Sequence, residues 1–427
     1  MSPAEAPPGM TPGPRAAMDC QEPTPVPRTH RGAAGRVLII VENIAAGVDH
    51  RVSKQIDTLL QNGYYVRVIT RRHARNSRYR DHARVRLFEY PSPAEPGGLL
   101  GYLVEYGYSF LVAAFLSLRV VIRDRIDVVQ FCEPPDVYFP LARLFKRLGV
   151  RVVVDQRDLL SELYVARYGN ARSGLLSVLR LLEKLSHGSA DRVICVNEHL
   201  RKRALAVSGL PADRVSVVRN GPVLARVLGV QGDESLKRGR RYLSCWVGMM
   251  GRQDRLDLLL RSIHHVVHDL GRDNCEFAII GFGECLAEMQ ALADNLKLGE
   301  WVHFTGFLLE KDVFRYLATA DLGLDASLQF EVSPVKAMEY MAFGLPFVAF
   351  DLPETRTISE GAAAYAEPGD IEAHAQTIDA LLRSPQRRLA LGRVGQATVQ
   401  EELAWEHQAN TYVQVIEQLC SARGRRV

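Results

Sequence analysis

The sequence predicts an α/β protein built from two doubly wound domains with parallel sheets. Short runs of β-branched residues alternate with helical patterns of about 10–15 residues, a spacing typical of parallel strands joined by helices. The alternation occurs twice, on either side of Asn220-Gly221-Pro222, whose Asn-Gly and Gly-Pro pairs are strong turn signals. A chain of 427 residues also fits two or three domains of about 150 residues each.

The individual elements follow from hydrophobic periodicity. In the first half the patterns predict strands at residues 36–41, 65–70, 127–131, 151–155 and 192–196, with helices at 50–61, 137–147 and 174–186. In the second half they predict strands at residues 241–247, 276–280, 302–305, 322–325 and 347–350, and a helix at 256–269.

These elements divide the chain into four parts. Residues 1–34 contain eight prolines and no continuous apolar run, which predicts a disordered leader rather than an export signal. Residues 35–219 form the first domain, 220–240 a hinge, and 241–427 the second domain. We expect the last helix to cross back to the first domain.

Charge is divided unevenly between the two halves. Residues 35–219 carry 29 basic and 18 acidic side chains, a balance of +11, whereas residues 220–427 carry 21 and 28, a balance of −7. Opposite signs suggest two bodies with different partners. The seven scattered cysteines contain no Cys-x-x-Cys pair, which favours a reducing compartment and a cytoplasmic location and argues against a zinc ribbon.

The basic excess is concentrated at Arg71, Arg72, Arg75, Arg78 and Arg80, and two further arginines follow by residue 86. An apolar, aromatic segment at residues 102–115 follows, too short to span a bilayer. Together they predict a surface that holds the protein on the inner face of an anionic membrane. The alternative is a solvated arginine loop followed by a buried helix. Nucleic acid is not expected, since no recognition motif accompanies the arginines.

The sharpest local signal is the segment from Glu331 to Glu339, followed by Tyr340-Met-Ala-Phe-Gly-Leu-Pro346. Ser333 and Pro334 favour a helix start there, with free N–H groups that would bind an anion and Glu339 on the helix face. A phosphate flanked by carboxylates that accept sugar hydroxyls would suit a nucleotide sugar. The alternative is an ordinary amphipathic helix with two solvated acids.

This segment resembles the Glu-x7-Glu motif of the retaining glycosyltransferases of family 4 (GT4), which have the two-domain GT-B fold. Further matching stretches are Thr305-Gly-Phe307, Tyr316–Asp321, the 218–221 hinge, 191–198 and Pro134-Pro-Asp136. The resemblance covers residues 36 to about 412. It implies two Rossmann-like domains facing across a cleft, with the acceptor on the first domain and a nucleotide-diphosphate sugar on the second.

The resemblance also implies roles for individual residues. Glu331 would orient the transferred sugar, and Glu339 would hold the ribose hydroxyls. The backbone of Ser333, Pro334 and Val335 would face the diphosphate, and Gly306-Phe307 would lie against the base. No metal and no cofactor are expected, and the chain contains no Asp-x-Asp.

Two positions depart from the family pattern. Arg157-Asp158 stands where relatives often have His-Asp, so Arg157 would neutralise the departing diphosphate, mark a degenerate enzyme, or only form an ion pair with Asp158 or Glu162. Gly251-Arg252 and Arg255 stand where relatives place an arginine and then a lysine to hold the diphosphate. Either arginine could bind phosphate, or both could lie exposed.

Gly47, after the first strand, would let an acceptor approach the backbone, or it would serve only as a turn. The function expected from these features is retaining transfer of a hexosyl or N-acetylhexosaminyl group from a nucleotide sugar to a lipid-linked or polysaccharide acceptor. Two alternatives stay open: a catalytically degenerate binding partner, and a sugar-nucleotide 2-epimerase with the same fold.

Overall fold

The computed structural model describes residues 35–91, 98–168, 173–329 and 334–421, and the leader predicted at 1–34 lies outside them. The predicted fold class is confirmed: two all-parallel sheets are flanked by helices. Each sheet forms the centre of one lobe. Most of the β-branched runs in the sequence are buried strands of these two sheets.

The first lobe is a seven-stranded sheet of order β3-β2-β1-β4-β5-β6-β7. Its strands are β1 Arg36–Ile40, β2 Tyr65–Arg71, β3 Val85–Tyr90, β4 Val128–Glu133, β5 Arg151–Gln156, β6 Arg192–Cys195 and β7 Val215–Val217. Its helices are α1 His50–Gln61, α2 Gly98–Asp124, α3 Phe139–Arg147, α4 Leu160–Tyr168, α5 Ser173–Ser189 and α6 Glu198–Ser208.

A short helix, α7 Leu224–Val227, lies between the lobes, and the second lobe is a six-stranded sheet of order β10-β9-β8-β11-β12-β13. Its strands are β8 Tyr242–Met249, β9 Cys275–Phe282, β10 Val302–Gly306, β11 Leu322–Leu324, β12 Phe347–Phe350 and β13 Ala363–Ala366. The helices that follow are α8 Leu256–His264, α9 Leu286–Asn295, α10 Glu310–Thr319, α11 Val335–Ala342, α12 Pro353–Ser359, α13 Ile371–Arg383, α14 Pro385–Thr398 and α15 Trp405–Ser421.

The expectation that the last helix crosses back is confirmed. Residues of α15 are buried in the same apolar cluster as β1, α1 and β2 of the first lobe. Two hydrogen bonds fix this docking: Tyr412 Oη donates to Gln130 at 2.7 Å, and Trp405 Nε1 donates to Thr58 at 3.0 Å. The C-terminal helix α15 therefore packs on the first lobe, although it follows the second sheet in the sequence.

The chain crosses between the lobes twice, and the two crossings touch. The backbone N–H of Trp405 donates to the Pro222 carbonyl at 2.8 Å. A Cβ on Gly221 would lie 1.7 Å from the Leu403 carbonyl oxygen, so only glycine allows this approach. The two crossings hold the lobes so that the carboxyl ends of the strands of both sheets border one cleft. In parallel sheets, ligands bind outside the carboxyl ends of the strands.

Candidate active site

The second-lobe side of the cleft is formed by tightly interlocked loops after β8 and β9. Gly281 has φ +138°, and a Cβ there would lie 1.9 Å from the Gly248 carbonyl oxygen. The Met250 N–H donates to the Phe282 carbonyl at 2.8 Å, and the Met250 carbonyl accepts from Cys285 N–H at 3.1 Å. These bonds extend the pairing of the two strands into their loops and fix the loops relative to each other.

Two exposed aromatic rings stand at this edge. Phe282 and Phe307 pack edge to face with centroids 5.5 Å apart, although about half of each side chain remains exposed. Phe307 follows Gly306, which has φ +68° at the end of β10. The Arg75 guanidinium of the first lobe lies 5.6 Å from the Phe307 ring centroid. The rings thus form an aromatic surface that a residue of the other lobe covers.

The start of α11 lies beside these loops. The helix begins at Val335 after the buried Pro334, and no side chain of the described residues caps it. Glu331 and Ser333 lie outside the described residues, so their predicted roles stay predictions. The first N–H groups of a helix have no intrahelical acceptor, which leaves this end of α11 suited to an anion.

Lys336, which the sequence interpretation did not single out, holds this helix start to the loop after β8. Its Nζ lies 3.3 Å from Asp254 Oδ1, 3.4 Å from Asp325 Oδ1 and 4.7 Å from the centroid of the Trp246 ring. Burial alone would lower the pKa of Lys336, but the two carboxylates outweigh it and raise the pKa. A lysine in the first turn of a helix is unfavourable, because its charge opposes the helix dipole. This unfavourable position is the feature of the sequence that could have singled out Lys336.

Glu339, on the face of α11, interacts electrostatically with the first lobe. Burial raises its pKa to about 7, opposed by the ammonium of Lys54 in α1. Burial likewise lowers the pKa of Lys54 to about 7, helped by the nearby Arg51. Lys54 Nζ also donates to the Gly221 carbonyl at 2.8 Å and lies 4.8 Å from the Trp405 ring centroid. The sequence carried no signal for the interaction between Glu339 and Lys54, because the two residues are 285 positions apart.

The two candidate phosphate-binding arginines differ in their surroundings. Arg255 forms two hydrogen bonds with Asp257, both 2.9 Å long, and holds φ at +50°. Arg252 is exposed, beside the half-buried Gly251. The guanidinium of Arg255 is therefore already paired with a carboxylate, whereas Arg252 is exposed in the same loop.

On the first lobe, Arg157 lies in a buried network of charges. It pairs with Asp49, the N-cap residue of α1, and its Nε lies 3.6 Å from Asp155 Oδ2. The alternative interpretation, an ion pair of Arg157 with Asp158 or Glu162, does not match these partners. Nη2 of Arg157 is buried and has no hydrogen-bond partner among the described residues. Burial raises the pKa of Asp158, which Arg157 only partly offsets.

Gly47 accommodates a neighbouring turn. Its N–H donates to Asn76 Oδ1 at 2.9 Å, and a Cβ would lie 2.3 Å from the Arg75 carbonyl oxygen. The short 3-10 turn Ala74–Tyr79 therefore rests directly on Gly47. This contact places Arg75 over the aromatic surface described above.

The arginine cluster is partly neutralised by the protein itself. Arg78 pairs with Asp57 at 2.7 Å, and Arg80 pairs with Glu89 at 3.0 Å. Arg72 is exposed and Arg71 is half-buried. Arg75, as noted, faces the cleft.

The apolar segment that follows belongs to α2, which has one exposed stripe. Val104, Leu111, Phe115 and Ile122 are 57–71% exposed. At 3.6 residues per turn they fall within about 40° of one another around the helix axis. Among the described residues, no helix is long and apolar enough to cross a bilayer.

Comparison with protein families finds two matches that together span most of the chain. Residues 46–221 match the family described as glycosyl transferase 4-like domain, and residues 241–384 match glycosyl transferases group 1. The boundary between the two matches falls in the hinge region.

Two characterised relatives share part of the sequence. The amylovoran biosynthesis glycosyltransferase AmsK of Erwinia amylovora is 28% identical over 192 residues, 43% of this chain and 44% of that protein. The GDP-mannose-dependent monoacylated alpha-(1-6)-phosphatidylinositol monomannoside mannosyltransferase of Corynebacterium glutamicum is 28% identical over 159 residues, 35% and 40% of the two chains. The matched regions thus span less than half the length of either relative.

Solved structures share the fold over nearly the whole chain. Sucrose-phosphate synthase from Thermosynechococcus elongatus superposes with a TM-score of 0.74 at 17% identity, covering 91% of this chain and all of that one. Anabaena Alr3699/HepE, in complex with UDP-glucose, gives a TM-score of 0.67 at 16% identity and covers 91% and 99% of the two chains. At such low identity these similarities establish the architecture of the two lobes.

Proposed function

The chain belongs to the group 1, family 4-like glycosyltransferases with the GT-B fold, and from that membership we propose that it transfers a sugar from a nucleotide-diphosphate donor to an acceptor, with retention of anomeric configuration. The observation that carries the proposal is the position of Glu339. Its carboxylate lies on a helix that starts in the cleft and is electrostatically coupled to Lys54 of the opposite lobe. A ligand bound at this helix start would therefore face both lobes.

In the proposed complex the base stacks against Phe282 and Phe307, and Glu339 accepts hydrogen bonds from the ribose hydroxyls. The diphosphate lies at the start of α11, where the N–H groups of Val335 and Lys336 donate to it. Arg252, which is exposed and not ion-paired with the carboxylate that holds Arg255, supplies the neighbouring positive charge.

The proposed reaction takes place on the face from which the diphosphate departs. The bond between the anomeric carbon and the diphosphate oxygen breaks, the bond to the acceptor hydroxyl oxygen forms, and the acceptor proton passes to the departing diphosphate. Amide N–H groups and fixed cations stabilise the charge that develops on the leaving group. Glu331 orients the sugar, and Arg157 with Asp158 forms the opposite wall of the site. Because the amides and cations stabilise the leaving group, the proposed transfer itself needs no metal ion or cofactor.

For the acceptor we propose a lipid-linked or polysaccharide intermediate, and for the sugar a hexose or N-acetylhexosamine. The names of the two relatives, one in amylovoran biosynthesis and one acting on a phosphatidylinositol mannoside, support this class. We further propose that the protein acts in the cytoplasm, attached to the inner face of an anionic membrane. The exposed apolar stripe of α2 supports the membrane attachment. Arg71, Arg72, Arg78 and Arg80 precede α2 in the sequence and would add positive charge to this attachment, although Arg78 and Arg80 already have carboxylate partners.

The first experiment is a thermal-shift panel with UDP-glucose, UDP-N-acetylglucosamine and GDP-mannose. A ligand at 100 times its Kd adds about 2.7 kcal/mol to stability. Glu339→Ala should abolish the shift caused by the binding donor. The matched control Glu372→Ala, an exposed glutamate in the first turn of α13, should leave it intact. No shift with any donor would count against the proposal.

The second experiment analyses products from the donor so identified, with and without glycolipid acceptors. A sugar transferred to the acceptor, and lost in Glu331→Ala, supports the proposal. A changed sugar nucleotide formed without acceptor would instead show an epimerase, and binding without turnover in every acceptor mixture would show a degenerate binding protein. Membrane association is tested separately by flotation with anionic vesicles, where Phe115→Ser should weaken binding and the exposed Leu389→Ser in α14 should not.

A further inference from the structure

Three buried residues of the first lobe bring metal-binding atoms together outside the proposed donor site. Glu133 ends β4, Asp136 lies in the loop that follows, and His187 lies near the end of α5. One ligand atom from each lies within 4.8 Å of the other two. The three residues are 0%, 1% and 0% exposed, so no solvent-facing charge is involved.

The hydrogen bonds around His187 determine which ring nitrogen carries a lone pair. The Gln156 Nε2 amide donates to the Asp158 carbonyl, so Gln156 Oε1 is the acceptor for His187 Nε2, at 2.7 Å. A neutral imidazole that donates from Nε2 leaves Nδ1 as an acceptor. Among the described residues Nδ1 has no hydrogen-bond partner. An outer-sphere carbonyl that orients a histidine in this way is the usual arrangement around metal ligands.

Each carboxylate is likewise half satisfied. Glu133 Oε1 accepts from the Ser186 hydroxyl, whereas no donor group in the described parts of the chain reaches Glu133 Oε2 or Asp136 Oδ1, and the two carboxyl groups lie close enough to share a hydrogen bond. Of the nearby guanidinium groups, Arg203 pairs with Glu183 and Arg157 pairs through Nη1 with Asp49, while Nη2 of Arg157 has no hydrogen-bond partner among the described residues. Two carboxylates and a lone pair are thus buried together, and no described cation forms an ion pair with either carboxylate, an arrangement that is costly unless something neutralises it.

A proton alone does not solve this problem. One proton shared between Glu133 and Asp136 would satisfy two of the three unpartnered atoms and leave His187 Nδ1 without a partner. A cation about 2.0–2.2 Å from each ligand separates the ligand atoms by about 3–4 Å, which is compatible with three ligand atoms that lie within 4.8 Å of one another.

We propose that Glu133, Asp136 and His187 bind a divalent transition-metal cation of the zinc or manganese class, which prefers imidazole and carboxylate ligands. The cation would join β4, the following loop and α5 across the sheet edge. Through Gln156 it would also steady the Arg157-Asp158 segment, whose carbonyl that amide holds. Its role is structural, and it does not depend on the donor chemistry proposed above.

The test measures metal content and binding on the full chain. After chelator treatment and gel filtration, the protein is titrated with Zn2+, Mn2+ and Co2+, and bound metal is counted by mass spectrometry. We expect close to one cation per chain and a rise in the Tm on metal addition. His187→Gln should weaken binding at least tenfold. The matched control is His374→Gln, a buried histidine whose Nδ1 is also unpartnered but which is absent from any metal-ligand group among the described residues.

If His187→Gln fails to fold, the Co2+ complex of the wild-type protein provides the second readout. Visible absorption bands from a site with nitrogen and oxygen ligands, saturating at one equivalent, support the proposal. Less than about 0.1 cation per chain at saturating metal, with a Tm that neither metal nor chelator moves, would overturn it. That result would assign the unpartnered atoms to a shared proton and buried water.

Discussion

Arg51 offers the most direct test of the forces that hold the cleft side of the first lobe. This residue of α1 is 4% exposed, and its Nε and Nη2 contact Asp155 at 3.0 and 2.7 Å. Its Nη1 donates at 2.8 Å to the Val218 carbonyl and to Asn220 Oδ1 at the hinge. One guanidinium therefore joins α1, β5 and the crossing between the lobes.

The substitution Arg51→Met keeps the apolar stem and removes the charge. Asp155 is fully buried and, among the described residues, would retain only the Gln55 amide at 2.9 Å and the more distant Arg157. Removing one member of a buried ion pair costs about 3–5 kcal/mol, because the other charge stays buried without its partner. We expect a loss of that size in the free energy of unfolding of the first lobe.

The matched control is Arg78→Met. Arg78 pairs with Asp57 at the same 2.7 Å, but the two side chains are 42% and 32% exposed. Solvent-exposed pairs contribute about 0–1 kcal/mol. The two variants thus separate the effect of burial from that of distance.

The assay is urea denaturation followed by fluorescence and circular dichroism, at pH 7 and at acidic pH. Burial tends to raise the pKa of Asp155, but Arg51 outweighs it and the pKa is lowered. Stability from this pair is therefore fully present above the unfolded-state pKa of about 3.9 and is lost as pH falls through the folded value. The difference between wild type and Arg51→Met should shrink below pH 4. Equal losses in the two variants at pH 7 would refute the reasoning.

Three further predictions follow from the second lobe. Donor affinity, measured by calorimetry from pH 6 to 8, should rise as the carboxyl of Glu339 ionises near its pKa of about 7, and Glu339→Gln should flatten that profile. Tyr340→Phe should cost about 1–3 kcal/mol in urea unfolding, because the buried hydroxyl bonds two backbone groups at 3.1 and 3.2 Å; an unchanged midpoint would contradict this. Gly281→Ala should lower the Tm, since its Cβ would lie 1.9 Å from the Gly248 oxygen, whereas Gly299→Ala meets nothing within 4 Å and should be tolerated.

Local patterns predicted most of the sheet. The β-branched runs at 36–41 and 151–155 became β1 and β5 with ends within one residue of the prediction. The pattern analysis missed β13, Ala363–Ala366, because four residues with three alanines have no strand signature and pair only through their place beside β12. The helix predicted at 256–269 ends its regular α-geometry at His264, and a π-helical turn covers the remainder.

The residues of the candidate site could be predicted only where they lie close together in the sequence. The Gly306-Phe307 pair and the helix that carries Glu339 stood out locally. The partner of Arg157 did not, because Asp49 lies 108 positions away and only the β1–β4–β5 order brings it near. For the same reason, counting arginines overstated the free positive charge, since Asp57 and Glu89 approach the cluster from other elements.

The docking of α15 on the first lobe has a consequence for how the protein is made. A ribosome releases residues 35–219 long before Trp405 and Tyr412 are synthesised, yet both are buried in the apolar cluster of that lobe. The nascent first sheet must therefore wait, with that surface open, until residues 405–421 have been synthesised. Separate expression of the halves would then require moving the coding region for residues 405–421 onto the first one.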